Sequence, residues 1–252
     1  MTVENQRDIE GLMAAGQVVS RVLNRMLDAL EPGMTTAELD ALGDELLRRH
    51  GARSAPRITY DFPGATCISV NEQVAHGVPG SRRIEPGDVV NVDVSAELDG
   101  YFADTGGTRV VPPVTPVKKR LCHATRRALE AAMSEVRAGN PINRLGLAVE
   151  RVARTYRFRI IRNLAGHGVG RSLHESPAEI VSYHRPQDRR FLEEGMVIAV
   201  EPFLSTRATA AEEGDDGWTL TAPPGNLSAQ YEHTLIATRG RPIVVTAPPA
   251  TS

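Results

Sequence analysis

Two acidic residues stand in a segment that reads as a pair of strands, NVDVSAELDGYFADTGGT, residues 91–108. Asp99 and Gly100 form the dipeptide that favours a type I′ hairpin turn. That turn pairs residues whose numbers sum to 199, so Asp104 lies diagonal to Asp93 on one face of the hairpin. Diagonal neighbours are at most about 7 Å apart, a separation at which two carboxylates can share an ion. A one-residue change of register would place them on opposite faces.

Asp93 and Asp104 alone also fit the solvated face of an ordinary antiparallel sheet. Three further segments favour a metal site instead. The segment NLAGHGVGRSLHESP carries His167 and His174 among glycines, which gives one or two histidines for such a site. Glu201 and Glu232 stand at the ends of the apolar runs in GMVIAVEPF and SAQYEHTLIAT. An acid in such a setting is costly unless it is paired or binds a metal.

The charge and chemistry of these residues predict two divalent cations. The four acids together carry four negative charges, which two divalent cations would balance, and without metal they would repel one another. Oxygen ligands with an imidazole suit Mn, Fe, Co or Zn. A pair of such ions is the usual apparatus for activating water in hydrolysis.

Helices and strands alternate in blocks along the chain. Apolar residues at a 3.6-residue period predict helices over 6–30 and over TTAELDALGDELLRRHG, where Thr35 and Glu38 have capping-box spacing. Two more helices are predicted at VKKRLCHATRRALEAAMSEVRAG and PINRLGLAVERVARTY, with Pro141 in the first turn of the latter. Strands are predicted at TCISVN, the hairpin, VIAVEPFL, WTLT, HTLIAT and PIVVTA.

Each half of the chain places helices before strands and supplies acids from its strands. We therefore predict one α+β domain over residues 1–252, with a frayed tail at about 247–252.

Composition excludes several functional classes. The chain has 252 residues, a net charge of -2 and 41% hydrophobic residues, which gives no basic excess for a nucleic-acid partner. Cys67 and Cys122 are the two cysteines, so a disulfide framework is not expected. The sequence has no apolar run long enough to span a membrane and no export signal pattern, and we expect a cytoplasmic protein.

Five motifs, in order, resemble the type I methionine aminopeptidases: CISVNEQVAHGVP, GDVVNVDVSAELDGYFADTGGT, GHGVGRSLHESP, EEGMVIAVEPF and DGWTLTAPPGNLSAQYEHT. The resemblance covers about residues 8–246. It implies the pita-bread fold of the creatinase and aminopeptidase group, with pseudo-twofold halves and a curved antiparallel sheet covered by helices. It also implies removal of the initiator methionine from nascent chains when the second residue is small, by water that two metal ions activate.

The resemblance assigns roles to individual residues. It implies five metal ligands: Asp93, Asp104, His167, Glu201 and Glu232. Among them, Asp104 and Glu232 would bridge the two metals, and Glu201 would also shuttle a proton. His76 would contact the substrate near the scissile bond, and His174 would stabilise the developing oxyanion.

Phe62, Cys67 and Trp218 match positions of the methionine pocket in the family. The resemblance further implies a monomer that acts on nascent N-termini, and transient contact with the ribosome through the basic segment VKKRLCHATRR is a further hypothesis. Two alternatives stay open at the level of sequence. One is an Xaa-Pro peptidase of the same fold, and the other is a non-catalytic relative that serves as a binding protein.

Overall fold

The computed structural model describes residues 1–248, so most of the predicted frayed tail lies outside the described residues. The helices are α1 Gln6–Ala29, α2 Thr36–Arg49, α3 Ala55–Tyr60, α4 Pro116–Glu135 and α5 Asn143–Tyr156. The strands of the first half are β1 Arg53–Ser54, β2 Cys67–Val70, β3 Gln73–Ala75, β4 Val89–Leu98 and β5 Tyr101–Val110. Those of the second half are β6 Arg159–Ile160, β7 Ala165–Gly168, β8 Glu175–Val181, β9 Val197–Val200, β10 Phe203–Ser205, β11 Glu212–Glu213, β12 Leu220–Thr221, β13 Ser228–Gln230, β14 His233–Ile236 and β15 Ile243–Val244.

Helix α2 begins at the predicted capping box. The hydroxyl of Thr35 accepts a hydrogen bond from the backbone N–H of Glu38, and the Glu38 carboxylate accepts one from the backbone N–H of Thr35. Two backbone donors at the helix start are thereby satisfied. After the helix, Gly51 adopts a positive φ of 72°, which a residue without a side chain tolerates without strain.

The hairpin of β4 and β5 has the predicted turn and register. Asp99 and Gly100 both have positive φ angles, 51° and 82°, as a type I′ turn requires. Leu98 pairs with Tyr101, and the ladder continues through Asp93, which faces Gly106. The prediction that the two acids of the hairpin share a face is therefore confirmed.

Each half forms the main part of one large hydrophobic core, and the first core also includes second-half residues such as Val197 and Ile236. In the first half, α1 and α2 pack on the sheet of β1, β2, β4 and β5 around Leu12, Met26 and Val92. In the second half, α4 and α5 pack near the five-stranded sheet β15-β14-β9-β7-β8 around Leu121 and Ile198. The strand pairings within residues 1–248 are antiparallel, which confirms the α+β class.

Two of the differences from the predictions concern helices. Helix α5 begins at Asn143, so the placement of Pro141 in its first turn is wrong. The chain before α5 is held instead by the segment around Phe191, with which Pro141 forms a bridge, and the backbone N–H of Ile142 donates to the carbonyl of Arg190. The short helix α3 was not predicted, since six residues are too few to show a helical period.

Among the described residues, the helices are all too short or too polar to cross a membrane.

Candidate metal centre and substrate pocket

The hairpin of β4 and β5 brings the first two predicted ligands together. Asp93 pairs with Gly106, and Asp104 pairs with Ser95, so the two carboxylates are diagonal neighbours on one face. This face is not solvated, because Asp104 is 7% exposed and Ser95 is 6% exposed. The alternative of an ordinary wet sheet face is therefore wrong.

The sheet of the second half supplies the other three predicted ligands. His167 on β7 pairs with Ala199 on β9, and Glu201 follows β9 two residues later on the same side. Strand β14 pairs with β9 so that His233 faces Val200. Extending that register by one residue places Glu232 opposite Glu201.

Hydrogen bonds join the two halves at the acids. The Thr234 hydroxyl donates to the backbone carbonyl of Asp104 at 2.8 Å and accepts from its N–H at 2.9 Å. The backbone N–H of Glu232 donates to the carbonyl of Gly106 at 3.0 Å. These bonds hold β14 against the hairpin, and as a result ligand atoms of Asp104, His167 and Glu232 lie within 4.8 Å of one another.

Burial disfavours the charged forms of the residues in this cluster. It raises the pKa of Asp104 to about 6, and burial together with the neighbouring carboxylates raises the pKa values of Asp93, Glu201 and Glu232 well above the ordinary range. Burial also lowers the pKa of His167 to about 3, so its imidazole is neutral. A neutral imidazole is the form that binds a metal ion.

The orientation of His167 fits a cation between it and the acids. Its Nδ1 lies 2.9 Å from the carbonyl of Gly168, which accepts the Nδ1 proton and leaves the Nε2 lone pair free. That lone pair lies 3.8 Å from an oxygen of Asp104 and 3.6 Å from one of Glu201, both too long for hydrogen bonds. Electron-pair donors facing one another at these distances repel unless a positive ion lies between them.

Two buried oxygens give an independent test of the fit to metal. Within residues 1–248, Asp104 Oδ1 and Glu232 Oε1 are buried and have no hydrogen-bond partner. A buried acceptor without a partner costs roughly 1–3 kcal/mol, more when it is charged. The other oxygen of Glu232 accepts from the side-chain amide of Gln230 at 2.9 Å, which orients this carboxylate. The donor set therefore fits divalent cations.

A cavity of about 280 Å³ opens onto this centre. Its metal-facing side includes Asp93, Asp104, His167 and Glu201. The opposite side is largely apolar and is formed by Pro56, Tyr60, Phe62, Cys67, Leu173 and Trp218. Glu232 lies behind the cavity lining, beside Gln230. The structure thus places all the predicted substrate-pocket residues around one cavity next to the acids.

Phe62 and Trp218 form an aromatic corner of the cavity. Their rings are 5.3 Å apart between centroids and nearly perpendicular, at 87°. Cys67 lies on β2 directly opposite Asp93. Burial and the nearby carboxylates raise the pKa of the Cys67 thiol, so it stays protonated and serves as a soft, neutral surface.

His76 and His174 lie at the mouth of the cavity. Partial withdrawal from water lowers the pKa of both side chains, which keeps them neutral near pH 7. The ring of His174 lies 4.0 Å from that of His167 between centroids. His76 has a positive φ of 52°, a rare conformation for a residue with a side chain, which tertiary contacts must support.

Two of the residues that sequence reasoning did not assign to the site make hydrogen bonds to predicted site residues. Tyr60 lines the cavity and its hydroxyl lies 2.6 Å from Nδ1 of His174. Gln230 is fully buried and donates to Glu232. Gln230 ends β13 and lies two residues before Glu232, and this strand-like spacing could have indicated Gln230 from the sequence. No local sequence pattern marks Tyr60.

A cavity beside buried acids and a neutral histidine suits a metal-dependent hydrolase. Comparison with known proteins is more specific. Residues 10–239 match the model of metallopeptidase family M24. "Methionine aminopeptidase 2" of Bacillus subtilis is 43% identical over 98% of this chain and 99% of its own length. "Methionine aminopeptidase" of Staphylococcus epidermidis is 45% identical over 98% of each chain.

The fold gives the same grouping. The crystal structure of methionine aminopeptidase from Rickettsia prowazekii superposes with a TM-score of 0.93, at 33% identity, over 98% of this chain and all of that one. Prolidase from Pyrococcus furiosus has a TM-score of 0.78 at 23% identity, which shows a shared fold alone. The chain belongs to metallopeptidase family M24 and, within it, to the methionine aminopeptidases, and it has their pita-bread fold.

Proposed function

We propose that this protein removes the initiator methionine from nascent polypeptides whose second residue is small, by a hydrolysis that depends on two divalent cations. The main support for the proposal is the set of side chains that meet at the junction of the two halves. There, within residues 1–248, two buried carboxylate oxygens that have no hydrogen-bond partner lie close to Nε2 of His167, beside a cavity lined in part by aromatic rings.

The residues that would hold the cations are Asp93, Asp104, His167, Glu201 and Glu232. Their four carboxylates match the charge of two divalent ions, and Co, Mn, Fe and Zn all suit oxygen ligands with an imidazole. Bound ions of this kind lower the pKa of water to near neutral and polarise a carbonyl group. Asp104 and Glu232, each with a buried oxygen that has no hydrogen-bond partner within residues 1–248, would hold the ions at the junction of the two halves.

The cavity selects the methionine side chain. A thioether makes favourable contacts with aromatic ring edges, and the perpendicular pair Phe62 and Trp218 offers both a face and an edge. The Cys67 thiol adds a small, polarizable surface. The cavity volume of about 280 Å³ suits one side chain and the adjoining backbone rather than a folded segment.

The neutral histidines and Glu201 act on the peptide bond. His174 would donate an N–H to the carbonyl oxygen as it gains negative charge, and His76 would hold the substrate backbone near the scissile bond. Glu201 lines the cavity, where its carboxylate would take a proton from water and pass it to the leaving amine.

We further propose that residues 1–252 form one catalytic domain that works as a monomer in the cytoplasm, with no nucleic-acid substrate. Contact with the ribosome would be transient. The basic face of α4 is partly engaged within the chain, because Arg120 stacks on Phe158 and Arg126 stacks on Tyr231.

Peptide hydrolysis tests the proposed function. The metal-free protein is supplied in turn with Mn, Fe, Co or Zn and assayed on Met-Gly, Met-Leu and Ala-Pro peptides of equal length. We expect release of methionine from the Met-Gly peptide, little turnover of the Met-Leu peptide and none of the Ala-Pro peptide. Asp104→Ala should be inactive with every metal. Preferred cleavage of the Ala-Pro peptide would support the Xaa-Pro alternative, and no metal-dependent cleavage at all would support a binding protein.

A further inference from the structure

Tyr60 joins the first half of the protein to a catalytic histidine of the second half. Its hydroxyl lies 2.6 Å from Nδ1 of His174, and the two rings are 5.5 Å apart between centroids at an angle of 52°. Tyr60 is 44% exposed, so core packing does not account for its position. It is the last residue of α3, and Asp61 ends this helix in a left-handed conformation with φ of 56°.

The chemistry of the two groups decides which of them donates. Removal from water raises the pKa of Tyr60, so its phenol keeps its proton. An imidazole nitrogen accepts a hydrogen bond better than a phenol oxygen does. The Tyr60 O–H therefore donates to Nδ1 of His174.

This direction fixes the tautomer of the neutral imidazole. With Nδ1 occupied as an acceptor, the single ring proton of His174 must lie on Nε2. Nε2 is then left free to donate. The ring is also restrained on a second side, because that of His167 lies 4.0 Å away. Contacts from both halves thus fix how His174 presents its N–H.

We propose that Tyr60 is a positioning residue that holds His174 in the Nε2–H tautomer and aims this proton at the carbonyl oxygen of the substrate. The proposal rests on the function proposed above and adds a residue that touches the reaction only through His174. A donor fixed in advance costs no reorganisation when charge develops on the oxygen, so its effect is on turnover rather than on binding of methionine.

A simpler reading makes Tyr60 only a wall of the cavity. A wall contributes by contact area, which Tyr60→Phe retains almost completely. A positioning residue acts through its hydroxyl, which Tyr60→Phe removes.

The kinetic test uses the metal-loaded protein and a Met-Gly peptide. We expect Tyr60→Phe to lower kcat by about three- to tenfold, the factor for loss of one hydrogen bond, with KM and bound metal unchanged. Tyr156→Phe is the matched control, since Tyr156 makes a similar contact of 3.0 Å with Nε2 of His123 in a pair that does not line the cavity. Its kcat should equal that of wild type.

A double-mutant cycle then separates action through His174 from any other effect. In a His174→Ala background, Tyr60→Phe should change kcat little further, because the residue it positions is gone. An equal fall in both backgrounds would overturn the proposal, as would a rise in KM with kcat unchanged.

The tautomer itself can be observed without activity. In zinc-loaded and in metal-free protein labelled with ¹⁵N-histidine, the resonances of His174 are assigned by their loss in His174→Ala. Wild type should show an unprotonated Nδ1 and a protonated Nε2 at this residue, and Tyr60→Phe should show a mixture of tautomers. A protonated Nδ1 in wild type would refute the assignment. This measurement does not depend on peptide cleavage. It therefore tests the tautomer of His174 even if the proposed function is wrong.

Discussion

The burial of Asp104 at the metal centre predicts that removing this carboxylate stabilises the protein when metal is absent. Asp104 is 7% exposed, and burial raises its pKa from 3.8 to about 6. In Asp104→Asn the side chain keeps its shape but cannot ionise. With metal chelated, we expect this variant to be more stable than wild type at neutral pH.

The sign and size follow from proton linkage. A group whose pKa is higher in the folded state stabilises that state below its unfolded pKa and loses this contribution as pH rises through the folded value. For Asp104 the loss therefore falls between about pH 4 and pH 6. Each pKa unit corresponds to about 1.4 kcal/mol, so the full effect is about 3 kcal/mol. The advantage of Asp104→Asn should grow from near zero at about pH 4 to about 3 kcal/mol at about pH 7.

Urea unfolding in excess chelator, at several pH values across this range, measures the difference. Asp188→Asn is the control of opposite sign. Hydrogen bonds from Arg190 lower the pKa of Asp188, so its carboxylate stabilises the fold above the unfolded pKa. Its replacement should destabilise the protein by an amount that stays constant between about pH 5 and pH 7.5.

With saturating metal the order should reverse, because wild type gains stability from ion binding that Asp104→Asn cannot match. If chelated Asp104→Asn were less stable than wild type at neutral pH, or if the difference did not change with pH, the account of a buried Asp104 carboxylate would be wrong.

Three further predictions concern the other parts of the site. His174→Ala should lower kcat by about a hundred- to a thousandfold, the loss expected for a missing oxyanion donor, while metal content measured by elemental analysis stays at the wild-type level. Parallel loss of metal would make His174 a ligand. Phe62→Ala should raise KM for Met-Gly peptides by about tenfold with a smaller change in kcat, and an unchanged KM would remove Phe62 from the methionine pocket. A Cβ at Gly106 would overlap the side-chain amide of Gln230, so Gly106→Ala should displace this hydrogen-bond donor from Glu232. We expect a metal titration to show binding weakened by about ten- to a hundredfold. An unchanged metal affinity would show that Gln230 does not orient Glu232.

The sequence by itself determined the local half of this site. The Asp99-Gly100 dipeptide has a strong preference for a type I′ turn, and a two-residue turn leaves one register for the hairpin. The diagonal placement of Asp93 and Asp104 followed from counting outward from the turn. The starts of α1 and α2 were also readable, since caps and helical periods are properties of neighbouring residues.

Only the tertiary structure decided what lies opposite the hairpin. His167, Glu201 and Glu232 are more than 60 residues away in sequence, and their meeting with Asp104 depends on contacts such as the Thr234 hydroxyl bonds. The resemblance to a family assigned these residues, but residue types and spacing alone did not place them. Tyr60 is the clearest case of a residue that the sequence could not assign to the site. Its hydrogen-bond partner His174 is 114 positions away, and a hydrogen bond between two surface-accessible side chains produces no periodic sequence pattern around either residue. Spacing in the sequence reports bonding between neighbours, whereas the packing of one half against the other determines which distant side chains share a cavity.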